Sequence, residues 1–306
     1  MNQFQRLKKA LSKPRDFLLF LFEKIAPIVP DKSYLRVKYY LRMGKRLNLN
    51  NPKTFNEKIQ WLKLYGRRPI DKVLSDKYAV KQYISDTLGS DYVIPLLGVW
   101  NYFDEIDFDT LPDRFVLKCT HDSGGLVICK DKSKLDFAKA KRIIENSLKY
   151  DYYIYSRETA YKDVPRRIIA EAFMEDNSKG ELVDYKVHNF GGVPKFILLC
   201  QNRFKENGLY EDFYSPEWEH LDIKRPYNAN APVLAEKPEE LDEILRLSKI
   251  LSKDLPFVRT DFYIINHRVY FGEITFSPAS GMTSFQPEQW DETFGSWIQL
   301  PIENNK

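Results

Sequence analysis

Near the C-terminal end of the 306-residue chain, two acids, an arginine and a threonine recur at a spacing that could do metal and phosphate chemistry. They lie in "FVRTDFYIINHRVYFGEITFS", residues 257–277, which reads as a β-hairpin. If its loop is the three residues Asn266, His267 and Arg268, Asp261 falls opposite Glu273 and Arg259 opposite Thr275, all on one face. The other face then collects Val258, Phe262 and Ile264 with Tyr270, Ile274 and Phe276 as a core face. A two-residue turn would put the acids on opposite faces, and the apolar alternation favours the longer loop. Paired carboxylates repel unless a positive charge lies between them. A divalent ion answers that need: Mg²⁺ takes hard oxygen ligands, commonly one or two carboxylates completed by phosphates and water. Asp261, Glu273 and the Thr275 hydroxyl are candidate ligands, and Arg259 could hold a phosphate or a developing oxyanion. The plain alternative is an exposed hairpin face whose charges Arg259 balances.

Upstream segments carry compatible chemistry. "RFVLKCTHDSGGLVICKD" (114–131) reads as a strand, the loop "THDSGG" and a second strand. Lys118 interrupts the apolar strand, and Ser123, Gly124 and Gly125 follow in the loop. Glycines let backbone N–H groups approach a phosphate, and a lysine beside them adds a point charge. No G-x-x-x-x-G-K-[ST] or G-x-G-x-x-G pattern is present. In "RRIIAEAFM" (166–174) Glu171 breaks a buried strand. It could accept from an adenine amino group while the Met174 backbone reads the ring edge; its structural alternative is to pair with Arg166, Arg167 or Lys186. In "LVDYKVHNF" Asp184, Lys186 and His188 share one strand face, and Val183, Tyr185 and Val187 the other.

The elements that must position these groups follow from the pattern. A capping box, Thr54 and Glu57, starts a helix in "NPKTFNEKIQWLKLYG" (51–66). A second helix is expected over 75–89, closed by Gly89, then a strand over 92–100. "DFAKAKRIIENSLKY" and 238–255 are further helices, and a hairpin turns at Gly191 and Gly192. Strands arrive as hairpins separated by helices, which predicts a mixed α+β architecture on antiparallel sheets. Four segments are expected: a basic helical extension at 1–48, a small α/β lobe at 49–110, a lobe with the Gly-rich flap at 111–190, and a lobe with the metal site at 191–306.

Composition sets limits. With 43% apolar residues the chain can bury a sizeable core. Its longest lipid-like piece, "FLLFLF" at 17–22, is too short to span a bilayer. Three cysteines make no disulfide framework, which points to a reducing, cytoplasmic setting. The net charge of +4 is uneven: residues 1–46 hold twelve Lys/Arg and three acids. Such a segment either attracts an anionic membrane surface or is a solvated helical face packed on the body. No Ser-His-Asp or Cys-His nucleophile arrangement stands out.

Lys118 with the Gly-rich hairpin, "AEAFM", Asp261 and "GEITFSPASGM" resemble, in that order, the ATP-grasp superfamily. With "NPKTFNEKIQWLKLY", "SDKYAV" and "DYKVHNF" they resemble its TupA-like branch, found with bacterial surface-polysaccharide biosynthesis and often labelled glycosyltransferase. The resemblance implies an ATP-grasp fold, with nucleotide held between two α+β lobes, and ATP and Mg²⁺ as cofactors. It implies that Lys118 binds the α/β phosphates under a flap of Ser123, Gly124 and Gly125. Glu171 and Met174 would bind adenine, Asp184 the ribose, and Lys186 a phosphate or acyl-phosphate region. Asp261 and Glu273 would hold Mg²⁺, and Arg259 would stabilise a tetrahedral intermediate. Thr275 departs from the pattern, since many relatives carry Asn there. The implied reaction is ligation: ATP converts a carboxylate to an acyl phosphate, which an amine then attacks. In a polysaccharide setting the carboxylate would be a uronic acid and the amine an amino acid. Two other classes remain at this stage. One is a glycosyltransferase using the D-x-D at Asp107 and Asp109; the other is a non-catalytic nucleotide-binding protein at the membrane.

Overall fold

The computed structural model describes residues 14–176, 182–203 and 208–301. The most N-terminal part of the basic segment, residues 1–13, lies outside them. Two helices open the described chain, α1 (Pro14–Lys24) and α2 (Asp31–Met43). Helix α3 (Phe55–Tyr65) begins with the expected capping box: Thr54 accepts from the Glu57 N–H, and the Glu57 carboxylate accepts from the Thr54 N–H. The helix expected over 75–89 is the shorter α5 (Ala79–Thr87), and a separate helix, α4 (Pro69–Ser75), ends where it was expected to begin. The break comes at Asp76, whose carboxylate accepts from the Tyr78 and Ala79 N–H groups and pairs with Arg167 at 2.6 Å. An aspartate that caps its own backbone competes with helix continuation.

Two antiparallel sheets follow. The first has the order β1-β4-β2-β3, from β1 (Leu96–Trp100), β2 (Phe115–Cys119), β3 (Leu126–Cys129) and β4 (Ile168–Ala172). Helix α6 (Phe137–Lys149) buries Ala140 and Ile144 against it, beside Phe115, Leu117 and Ile168. The short helix α7 (Tyr152–Ser156) leads back toward β4. The second sheet has the order β10-β9-β5-β6-β7-β8, from β5 (Asp184–Phe190), β6 (Val193–Gln201), β7 (Tyr210–Tyr214), β8 (His220–Leu221), β9 (Phe257–Ile265) and β10 (Arg268–Thr275). Helix α8 (Leu241–Leu251) covers one face with Leu241, Ile244, Leu247 and Leu251, packed on Tyr185, Val187, Val258 and Phe262. An aromatic cluster of Phe55, Phe190, Phe196, Phe257, Phe285 and Phe294 forms a second core, which seats α3 and α9 (Gln289–Trp297).

The expected segment borders cut across these sheets. β1 lies in 49–110 yet pairs with β4, and β5 lies in 111–190 yet pairs with β6 and β9. Hydrogen-bonded pairing places the change of sheet between Ala172 and Asp184.

The last hairpin reaches the expected register by a different route. Its turn has two residues, Asn266 and His267, both with positive φ (49° and 60°), as a tight hairpin turn requires. The three-residue loop is therefore corrected. A β-bulge between Phe271 and Glu273 restores the pairing, so that Glu273 faces Asp261 and Thr275 faces Arg259. Gly272 occupies the bulge, where an added Cβ would lie 3.0 Å from the Asp261 carbonyl oxygen. The bulge also changes which residues face the core. Val269 and Phe271 are buried on the turn side and Ile274 beyond it, whereas Tyr270 is not a core residue.

Candidate active site

The two sheets meet across a cleft of about 820 Å³ that opens to solvent. Lys118 and Glu171 line it from the first sheet; Asp184, Lys186, Asp261 and Glu273 line it from the second. Six of the twelve residues singled out from sequence thus converge in one place from five strands.

On the second sheet, antiparallel pairing builds two cross-strand rows. Lys186, Asp261 and Glu273 stand opposite one another on β5, β9 and β10; His188, Arg259 and Thr275 form the next row. Arg259 joins the rows. Its Nε donates to Asp261 Oδ1 at 2.7 Å, and its Nη2 donates to Asp261 Oδ2 at 2.8 Å, Glu273 Oε1 at 2.6 Å and Thr275 Oγ1 at 3.0 Å. Thr275 Oγ1 in turn donates to Glu273 Oε1 at 2.9 Å. Lys186 Nζ donates to Asp261 Oδ2 and, at 3.3 Å, to Asp184 Oδ1; Asp184 Oδ2 also takes Arg203 at 2.7 Å. The repulsion expected between the paired acids is thus relieved by Arg259 and Lys186.

The electrostatics follow from this packing. Burial works upward on the Glu273 carboxyl, but Arg259, Lys186 and Lys77 outweigh it and hold its pKa at about 2. Burial opposes the Lys186 charge, yet Asp261 keeps its pKa above the ordinary lysine value. His188 is driven well below the usual range by burial and by Arg259, so its ring is neutral where it stacks on Phe196 at 4.2 Å.

On the first sheet Glu171 is buried between two lysines, Lys81 at 2.6 Å and Lys118 at 2.5 Å. Burial pushes its pKa up, and the two cations pull it below the usual carboxylate value. Its expected partners Arg166, Arg167 and Lys186 are engaged elsewhere. Arg166 pairs with Asp151, Arg167 with Asp76, and Lys186 with Asp261.

The Gly-rich loop and Met174 stand apart from the cleft lining. Ser123 and Gly124 are exposed at the loop tip. Gly125 is buried against Cys119 and Ser147, where a Cβ would come within 2.3 Å of Ser147 Oγ. Close packing accounts for that glycine. The loop is tied toward the cleft by Lys77, whose Nζ donates to the Asp122 carbonyl. Met174 is half-buried in the link that follows β4.

Lys77, Lys81, Arg203 and Tyr161 also line the cleft, and sequence reasoning passed over all four. Lys77 and Lys81 lie four residues apart in "SDKYAVKQY", a spacing that reads as a solvated helical face. Two like charges at that spacing disfavour each other unless acids meet them, which was the available signal. Burial lowers the pKa of both.

The donor set suits Mg²⁺ in one specific sense. Among the described residues no group of three or more His, Cys, Asp or Glu forms a protein cage for a metal. Two adjacent carboxylates are what a Mg²⁺ ion takes from protein when phosphates and water complete its shell. The Glu273 side chain is 43% exposed to the cleft, against 1% for Asp261. Glu273 is therefore the more available ligand, and Thr275 Oγ1 is spent on orienting it. Asp107 and Asp109 of the D-x-D lie on the surface away from the cleft, where Asp107 caps its own turn by accepting from the Asp109 N–H at 3.0 Å.

The chain is similar to several known proteins. A D-alanine–D-alanine ligase of Sulfurimonas denitrificans is 27% identical over 160 residues, covering 51% of this chain and 37% of that protein's length. Among solved structures, the D-alanine–D-alanine ligase of Bacillus anthracis complexed with ATP superposes with a TM-score of 0.42 at 15% identity, covering 67% of this chain and 55% of that one. The enzyme of the same name from Helicobacter pylori gives 0.41 at 17%, covering 80% and 69%. The TupA-like ATPgrasp family matches residues 57–299, most of the chain, and the chain belongs to that family.

Proposed function

We propose that the protein is an ATP- and Mg²⁺-dependent ligase that activates a carboxylate as an acyl phosphate and joins it to an amine. The observation that carries this reading is the convergence of Lys118 and Glu171 from one sheet with Asp184, Lys186, Asp261 and Glu273 from the other around one cleft, with Arg259 bonded to Asp261 and Glu273 behind its lining. Lys77, Lys81, Lys118, Lys186 and Arg203 bring more positive charge to the cleft than its acids cancel, which suits a polyphosphate. In this reading Lys118 and Lys186 hold phosphate oxygens, and Glu273 with Asp261 holds Mg²⁺. When bound, that ion would neutralise charge on the transferring phosphoryl group. Arg259 and Thr275 fix the Glu273 carboxylate in advance, so no reorganisation is needed when substrate arrives. Glu171, held by Lys81 and Lys118, orients the phosphate lysine and takes the adenine side of the cleft with the Met174 backbone, while Asp184 takes the ribose. Ser123 and Gly124, exposed at the loop tip, serve as the cover, and Gly125, packed against Cys119 and Ser147, anchors it.

The family resemblance suggests a substrate in surface-polysaccharide biosynthesis, with a sugar or uronic acid as one partner and an amino acid as the other. The surface position of Asp107 and Asp109 counts against the glycosyltransferase reading. No helix among the described residues is long and apolar enough to cross a membrane. Leu18, Leu21, Ile25 and Ile28 are exposed on and just after α1 beside basic residues, which supports peripheral contact with an anionic membrane.

The deciding measurement is thermal stability with Mg²⁺ and either ATP or a UDP-sugar. ATP at about 100 times its Kd should stabilise the protein by about 2.7 kcal/mol. Glu273→Gln and Lys118→Ala should lose that response. Stabilisation by UDP-sugar with none by ATP would sink the ligase reading.

A further inference from the structure

One cation of the cleft is not matched by an acid. Lys81 and Lys118 pair with Glu171, Lys186 with Asp261, and Arg203 with Asp184. Lys77 also lines the cleft and is half-buried. Among the described residues it forms no ion pair, and its Nζ donates to the Asp122 carbonyl alone. An ammonium carries three donors, so most of its hydrogen-bonding capacity is left for a group that enters the cleft.

Local structure explains why this side chain turns inward. Lys77 lies in the break between α4 and α5, not on a helical face. Asp76 caps the Tyr78 and Ala79 N–H groups and pairs with Arg167, and the Lys77 N–H donates to the Thr120 carbonyl at 3.2 Å. Helix α4, which ends just before this break, packs Leu74 into the core that holds Phe271 and Ile274 of β10, the strand of Glu273. The other anchor is fixed as well, because the Asp122 carboxylate accepts from the Gly125 N–H at 3.2 Å and from the Ser147 hydroxyl. Lys77 is thus held at the seam of the two sheets, between the root of the Gly-rich loop and Glu273. Burial opposes its charge, Glu273 and Asp122 favour it, and Lys118 opposes it. Two lysines that repel each other across a cleft favour an anion between them.

We infer that Lys77 binds the terminal phosphoryl group of the nucleotide, the group that the reaction transfers. The inference rests on the ligase reading, in which Glu273 and Asp261 hold Mg²⁺ and phosphate oxygens complete its shell. The phosphoryl group on the Glu273 side of the cleft is then the one that faces Lys77, whose charge would offset the charge of the transferring group. The tie to the Asp122 carbonyl gains a role in this arrangement: one ammonium holds the root of the Gly-rich loop and the phosphoryl group together. The residue comes from outside both sheets, and its position is set before any ligand arrives.

Isothermal titration calorimetry on the full chain with Mg²⁺ tests this, with ADP and the non-hydrolysable imido analogue of ATP as ligands. Lys77→Met keeps the apolar stem and removes the ammonium. It should lose about tenfold or more in affinity for the triphosphate and keep its affinity for ADP. Retained ADP binding also shows that the variant is folded. Lys77→Arg should recover most of the triphosphate affinity. An equal loss of both ligands in Lys77→Met, which a purely structural tie to the loop would give, would overturn the assignment. So would an unchanged affinity for the triphosphate. In both cases nucleotide binding by wild type leaves the ligase reading standing. Binding of neither nucleotide by wild type would defeat the ligase reading and the assignment with it.

Discussion

At the scale of single residues, the site is a set of opposite charges paired with one another: Arg259 and Lys186 hold Glu273 ionised, while burial raises the pKa of Asp261 against the same two cations. Arg259 makes four hydrogen bonds to three side chains and is nearly buried, with 12% of its side chain exposed. Replacing it by alanine strands the Asp261 carboxylate in the interior, and we expect a loss of about 3–5 kcal/mol in chemical denaturation. Arg259→Lys should retain the charge, lose the fork and cost less. Thr275→Val removes the hydroxyl that bonds Glu273, at about 1 kcal/mol, and should lower turnover more than it lowers ATP affinity. The Glu273 pKa, about 2 when folded, lies below its ordinary 4.5. A depressed carboxyl contributes stability that is complete above the unfolded value and is lost as pH falls through the folded one. Stability should therefore fall between about pH 4.5 and 2, and Glu273→Gln should flatten that limb in acid titrations followed by circular dichroism. Solvent at the cleft mouth screens the effect and keeps it small.

At the scale of elements, the loop after β10 is held by α3. Gln60 Nε2 donates to the Ser280 and Gly281 carbonyls at 2.9 and 2.7 Å, and Lys63 Nζ to the Ser280 carbonyl and hydroxyl at 2.8 and 2.7 Å. Ala279, Ser280 and Gly281 all carry positive φ, so the loop is a run of unfavourable backbone kept in place by side chains from elsewhere. An added Cβ at Gly281 would lie 2.5 Å from Ile59 Cγ2. We expect Gly281→Ala to destabilise by about 2 kcal/mol, read by thermal denaturation. The sequence showed this stretch as small and flexible, and showed α3 by its capping box. The clamp between them joins residues more than two hundred positions apart, and no local pattern carries that. The last hairpin gives the same lesson differently. Its facing pairs were legible, but the loop length inferred from them was one residue too long, because a bulge at Gly272 does the work assigned to the turn.

At the scale of the whole molecule, two antiparallel sheets with separate cores leave a charged cleft between them, and the helical N-terminal region packs beside the second core. Arg157 ties that region to the body, pairing with Asp31 at 2.9 Å and donating to the Ala26 and Val29 carbonyls. Truncation before residue 25 should therefore leave the ATP response intact. It should abolish salt-sensitive binding to anionic liposomes in a sedimentation assay; equal binding by the truncated protein would remove the membrane proposal.

The sequence by itself determined the α+β class, the capping of α3, the antiparallel hairpins, and the facing of Asp261 with Glu273 and of Arg259 with Thr275. These are local matters of period, turn chemistry and neighbouring strands. Only the tertiary structure decided that Glu171 lies between Lys81 and Lys118, that Lys77 reaches into the cleft, and that Gly125 is small for packing. It also decided that the chain changes sheet before Asp184. Each of these depends on which distant surfaces share the cost of burying charge and backbone, and that cost is set only when the two sheets face each other.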